Sequence, residues 1–173
     1  MNTRVPDALI EAALGRMDPE IELDPAKLSI RKEAVRRFYK RVWDESEISL
    51  IPELFHENFT FRGSLGPLLV GHAQFVEYVR WVTATFDDYT SDILALVEEG
   101  NQVVGKLRFH GRQRKPLFGR HPTGGRVWWN GAAFFRFDGE RVRDLWVLGD
   151  IYGLLGRLGG CPPQIAGFTL GNT

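Results

Sequence analysis

The feature that most constrains this chain is a change of period at Tyr89. Before it, apolar residues recur at helical spacing; after it, they alternate. Leu28, Val35, Phe38, Tyr39, Val42 and Trp43 fall on one stripe of a helix predicted to start at Asp24-Pro25, with Asp as N-cap and Pro in the first turn. Residues 47–55 read as a second, short helix that Pro52 limits. Residues 58–62 alternate Phe59 and Phe61 with polar partners, the mark of a short strand, and 64–71 form a loop. A third helix over 72–86 carries Phe75, Val79, Val82 and Phe86 on one side. Four strands follow, over 90–98, 102–113, 126–137 and 141–150. Their connections are Glu99-Gly100-Asn101, a long loop with the turn Pro122-Thr123-Gly124-Gly125, and a tight turn at Asp138-Gly139. Residues 151–158 give a last helical turn. Helices followed by an antiparallel meander make an α+β pattern.

Such a sheet has to cover two apolar faces, because Trp128-Trp129 and Phe134-Phe135 are adjacent pairs. The helices take one face, and a second subunit of a homodimer is expected on the other. A length of 173 residues suits one domain, over 25–160. Residues 1–24 read as an N-terminal arm. Within it, Pro6 to Leu14 could form a helix that Gly15 ends, so the arm is either mobile or docked on the body. Residues 161–173 are an uncharged tail; Ile165, Phe168 and Leu170 lead us to expect that it packs on the body or across the dimer.

Lys plus Arg and Asp plus Glu both number 22, so there is no basic excess of the kind a nucleic-acid partner calls for. No apolar run reaches a bilayer span, so no membrane partner is expected. The first residues, with Asp7 and Glu11, are not a signal peptide, which makes a cytoplasmic setting the default. The single cysteine, Cys161, excludes an internal disulfide framework and reads as an apolar filler.

There is no G-x-G-x-x-G, G-x-x-x-x-G-K or G-x-S-x-G motif, and His56, His72, His110 and His121 lack metal-ligand spacing. Neither a cofactor nor a metal is expected. The informative stretch is Arg141 to Leu158. Alternation puts Val142, Asp144, Trp146, Leu148 and Asp150 on one strand face. At the end of that apolar strand, the charged form of Asp150 is disfavoured, which makes it a competent general acid or base near neutrality. Equally, Asp150 could cap the turn that follows. Asp144 lies too far along the strand to pair with it. With a tight Asp138-Gly139 turn, Trp129 lies across from Leu148 on the face of Asp150, as a site for a flat, apolar, oxygenated molecule needs. For a single Trp, core packing is the alternative. Lys106, Arg108, His110 and Arg112 share one face of their strand, either a solvated outer face or a cradle for an anion. Arg62, at a strand end before a glycine loop, reaches into a cleft or into water.

Three segments together resemble a known family: AVRRFYKRVWDESEISLIPELFHENFTFRG, LFGRHPTGGRVWWNGAAFF and FRFDGERVRDLWVLGDIYGLLGRLG. They are similar, in this order, to the SnoaL-like polyketide cyclases, also called ester cyclases, over about residues 28–159. The resemblance implies the NTF2-like cone, with N-terminal helices on a curved antiparallel sheet enclosing one apolar pocket and dimers formed through the sheet. It implies cofactor-free acid/base chemistry on a small-molecule substrate, aldol cyclisation or isomerisation, with Asp150 at the position of the family's acid/base. Trp129, Trp146 and Arg62 would shape or polarise the site. The same fold also serves epoxide hydrolases and non-catalytic binding modules. Gln113 and Arg62 stand where many relatives carry histidines, which removes two neutral proton carriers.

Overall fold

In a computed structural model of the chain, the described residues are 18–159, with Ala8 alone before them. The helix expected over 6–14, Cys161 and the uncharged tail lie outside the described residues.

Helix formation starts twice. Asp24 accepts a hydrogen bond from the Ala26 N–H at 3.1 Å but holds only the 3-10 turn Pro25–Lys27. Ser29 is extended, and its hydroxyl takes the Lys32 N–H at 3.1 Å, capping α1, Ile30–Arg37. A residue caps a helix only from outside it, so Ser29 cuts the single helix expected from residue 24. The helix α1 then runs on as a wider turn, Phe38–Trp43, where the Asp44 N–H reaches back to the Tyr39 carbonyl at 3.0 Å. Phe38, Tyr39, Val42 and Trp43 are all buried by it.

After α2 (Ile51–Leu54) come β1 (Phe55–Arg62) and β2 (Leu68–Val70), the latter inside the expected loop. Helix α3 (Gly71–Thr85) is followed by β3 (Phe86–Glu99), β4 (Gln102–Gln113), β5 (Arg126–Asp138), β6 (Arg141–Gly149) and α4 (Ile151–Arg157). The strands form one sheet in the order β2-β1-β6-β5-β4-β3. It is the expected α+β arrangement with one difference: β1 runs parallel to β6, while the other pairs are antiparallel. No hairpin joins β1 to β6, so nothing in the turn chemistry dictates their direction.

The inner face of the sheet meets α1, its wide turn and α3 through rings. Phe38 stands 5.1 Å from Phe55, 5.7 Å from Phe135 and 5.9 Å from Phe75, centroid to centroid. Residues 18–23 lie along the β3 edge. The Ile21 N–H donates to the Ile93 carbonyl at 2.9 Å, the Ile93 N–H donates to Glu20 Oε1 at 3.0 Å, and Lys106 pairs with Asp18 at 2.8 Å. This part of the arm is docked, and it covers polar groups that an edge strand would otherwise expose.

Strand β3 begins at Phe86 rather than at Thr90 because a bulge interrupts its alternation. Asp87 pairs with Arg112 and Thr90 with His110, so Asp88 and Tyr89 together face Gly111. Asp88 takes a φ of 50°, and Tyr89 turns inward to lie buried. A Cβ on Gly111 would stand 2.9 Å from Phe86 Cβ and 3.2 Å from the Asp87 carbonyl oxygen, so the bulge needs a glycine opposite it. Gly111→Ala is expected to cost roughly 1–3 kcal/mol through overpacking. Urea unfolding would measure it, and a variant as stable as the parent would show that the bulge has room to spare.

Candidate functional site

A cavity opens between the rings of the helices and the inner face of the sheet. Phe109, Trp129 and Val147 form its floor; Phe38, Tyr39 and Trp43 come from the wide turn, and Tyr78 and Val82 from α3. Tyr89 enters through the bulge, and Phe61 with residues 63–65 closes the rim. Not one of these lining residues is charged or a histidine. Side chains leave a free volume of about 30 Å³. That is room for roughly one or two waters, so a larger ligand enters only if rings or the rim loop move.

The polar groups of the wall are hydroxyls. Ser64 donates to the Val147 carbonyl at 3.1 Å. Tyr78 receives a backbone hydrogen bond from Leu65, yet burial still pushes its hydroxyl well above the usual phenol range. Burial raises Tyr39 and Tyr89 likewise. All three phenols therefore stay protonated near neutrality and act as neutral hydrogen-bond donors.

Of the residues expected in a site, the structure brings Trp129 to the cavity, 2% exposed and 5.5 Å from both Phe86 and Phe109. Trp146 and Leu148 lie on the opposite face. The hairpin turns at Gly139-Glu140, with Asp138 paired to Arg141, and Arg143 is an extra residue: Phe137 pairs with Val142 but Arg136 with Asp144. Ala132, not Trp129, therefore faces Leu148, and every later residue of β6 changes face. Trp146, 42% exposed, stacks on Phe134 at 5.4 Å outside the cavity. Arg62 pairs in register with Trp146 and is exposed beside it. Neither residue lines the cavity.

Asp150 caps α4. Its Oδ1 takes the Gly153 N–H at 2.8 Å, and Oδ2 lies 3.7 Å from Arg157, whose guanidinium stacks 3.5 Å from the Trp128 ring centroid. The side chain is 37% exposed, so it lacks the apolar surroundings expected for it. It does not line the cavity, although the chain just before it passes close to the wall. A Cβ on the preceding Gly149 would lie 2.7 Å from Ser64 Oγ and 3.1 Å from Trp129 Cδ1.

Gln113 is buried outside the cavity. Its Nε2 donates to the Lys115 and Arg120 carbonyls, both at 3.1 Å, and pins the loop after β4. The basic stripe faces outward, where Asp92 takes Arg108 at 2.7 Å and His110 at 3.2 Å. Burial pushes Asp92 up, but hydrogen bonds from His110 and Arg108 outweigh it and hold the carboxyl below its usual range. Among the described residues no group of three His, Cys, Asp or Glu side chains converges as a metal site. No helix among them is long and apolar enough to cross a membrane. The residues that sequence reasoning missed are Tyr39, Tyr78 and Tyr89. The signal available was a phenol in an apolar stripe, which brings a hydroxyl to where a partner is scarce.

The sequence matches the profile of the SnoaL-like polyketide cyclases over residues 33–158. The chain belongs to that family. Its fold is the NTF2-like cone. A candidate polyketide cyclase from Acidithiobacillus ferrooxidans superposes with a TM-score of 0.68 at 26% identity, covering 77% of this chain and 96% of that one. A candidate SnoaL-like polyketide cyclase from Jannaschia sp. CCS1 gives 0.69 at 18% identity, over 82% and 99%. AclR, a candidate hydroxylase from Streptomyces galilaeus, gives 0.66 at 20% identity, over 79% and 89%. No curated protein matches the chain.

Beside the cavity, Asp44 follows Trp43 and sits in an ionic latch. Its Oδ1 takes the Ser91 N–H at 2.8 Å and its Oδ2 lies 3.0 Å from Lys40, which also pairs with Glu20 at 2.6 Å. Burial, opposed by Lys40, pushes the carboxyl from 3.8 up to about 6. An acid raised in the fold stabilises it most when protonated. Its contribution is complete below about pH 4 and is lost as pH rises through about 6. The loss is at most about 3 kcal/mol. Asp44→Asn is expected to flatten this part of the stability–pH profile, and parallel profiles for the two proteins would refute the assignment.

Proposed function

We propose that the chain is a small cofactor-free enzyme that takes a flat, apolar, polyketide-like or polycyclic ketone into the cavity and moves a proton next to its carbonyl. Intramolecular aldol cyclisation or isomerisation is the reaction class. The observation that carries the reading is the wall itself, made of rings, aliphatic groups and neutral hydroxyls, which suits an oxygenated apolar molecule. Proton abstraction beside a carbonyl needs a positioned base and a donor for the enolate oxygen. The proposed base is Asp150, which follows Gly149 beside the wall and reaches the substrate only by giving up its cap and turning inward; Trp129 shapes the floor. A cytoplasmic setting fits a chain with one cysteine.

The absence of any charged or imidazole group from the lining favours a second reading, a non-catalytic binding module. Exchange of the protons α to the carbonyl of 2-tetralone in D₂O, followed by NMR, separates the two. The enzyme reading expects the wild type to accelerate exchange and Asp150→Asn to lose at least about 100-fold of it. Asn caps as well as Asp, so the variant should keep its fold. An Asn variant as fast as wild type sinks the assignment of Asp150, and wild-type binding without exchange supports the module.

A homodimer through the outer face of the sheet is part of the same proposal. Val97, Val104, Phe134 and Trp146 are successive cross-strand partners, an apolar row spanning four strands, with Leu148 beside it 58% exposed. Sedimentation at micromolar concentration is expected to show a dimer that Trp146→Glu dissociates. A wild-type monomer would count against it.

A further inference from the structure

Three buried side chains end in an oxygen that meets no hydrogen-bond partner among the described residues: Tyr39, Gln113 and Asn130. Only Tyr39 lines the cavity. Around it, Ser64 has spent its proton on the Val147 carbonyl, Tyr78 accepts a hydrogen bond from the Leu65 N–H, and Tyr89 is hydrogen-bonded by Ser91, which leaves Tyr39 as the lining hydroxyl without a partner among the described residues. The Tyr39 ring is held in place from three sides, 4.9 Å from Phe38, 5.9 Å from Phe135 and 6.4 Å from Phe109. Its backbone carbonyl anchors the wide turn that follows α1, the kind of irregularity that recurs at functional sites. A neutral donor with no protein partner in a ring-lined cavity discriminates between ligands of one shape by whether they carry an acceptor.

We infer that the Tyr39 hydroxyl is the specificity-determining donor of the cavity, and that it selects flat aromatic ligands whose leading end carries a carbonyl oxygen. This rests on the reading that the cavity takes a polyketide-like molecule. The acceptor goes in first, toward Tyr39, and the rest of the ligand extends to the rim formed by residues 63–65.

The test uses 9-fluorenone and fluorene, two tricycles of nearly one shape that differ by the carbonyl. Calorimetric titration of the whole chain is expected to give fluorenone the tighter binding. Tyr39→Phe should lose about tenfold of fluorenone affinity and leave fluorene unchanged. The carbonyl stretch of bound fluorenone should lie at lower wavenumber in the wild type and return upward in Tyr39→Phe, a signature that a purely structural role would not move. Since the hydroxyl has no protein partner, Tyr39→Phe should melt no lower than the wild type. Equal fluorenone affinity in both proteins, or a clearly destabilised variant, overturns the inference while leaving the cavity reading intact. Failure of both tricycles to bind the wild type overturns the cavity reading and the inference with it.

Discussion

Arg143 is one residue more than β5 can pair, and its place in β6 determines what the cavity contains. Up to Val142 the last hairpin is regular; beyond the extra residue, Leu145 and Val147 turn toward the helices, and Trp146 and Leu148 turn away. Without the bulge the facing relation would reverse. Asp144 and Trp146 would then lie under the helices, and Val147 would lie outside. The uncharged wall and the outer apolar row both follow from this slip. The bulge at Asp88 acts in the same way on the other side of the sheet, where it brings Tyr89 in over Gly111.

These two bulges are also where sequence reading stopped. The order of elements, the long hairpins and the helical stripe of Val35, Phe38, Tyr39, Val42 and Trp43 were legible because a period of 3.6 or 2 is imposed by burial on one face. Trp129 was legible for the same reason. A bulge leaves no such trace. Arg143 is an ordinary strand residue flanked by Val142 and Asp144, and nothing in its side chain marks it as the unpaired one. An error of one residue flips a face, so the alternation that located Trp129 correctly misplaced Trp146 and Leu148. The parallel pairing of β1 with β6 was hidden differently, since the two strands stand at opposite ends of the domain. The Ser29 cap was visible as a residue type, but Asp24-Pro25 offered an equally good start just before it.

Charge is partitioned as sharply as the rings. Asp92, Arg108 and His110 form a compensated cluster on the outer face, and Lys40, Asp44 and Glu20 form another at the β3 edge. The interior received aromatic groups and hydroxyls. A phenol costs far less to bury than a carboxylate, because its neutral form is the stable one at neutral pH. In the basic stripe, which sequence alone left open as an anion cradle, Arg108 and His110 are held by Asp92 and Lys106 by Asp18. The same clusters fasten residues 18–23 to β3 and β4.

This partition limits where a base can stand. Asp44 has a lysine at 3.0 Å and a backbone N–H at 2.8 Å, and burial still pushes it to about 6. A carboxylate deeper in the cavity would have neither partner, since no cation lines the wall, and would be protonated at neutral pH. Inside, then, this wall offers only neutral donors, and those serve an oxygen that gains negative charge. A base therefore has to reach in from beyond this wall, and the proposed one, Asp150, is partly exposed and caps α4. In the proposed reaction the two ends of the substrate are thereby assigned. The carbonyl lies deep, against the phenol, and the carbon that gives up its proton lies outward, toward the rim. A ketone whose acidic carbon sits next to the carbonyl must therefore lie with that carbon on the side of Gly149 and Ser64, where the floor and the rim loop meet.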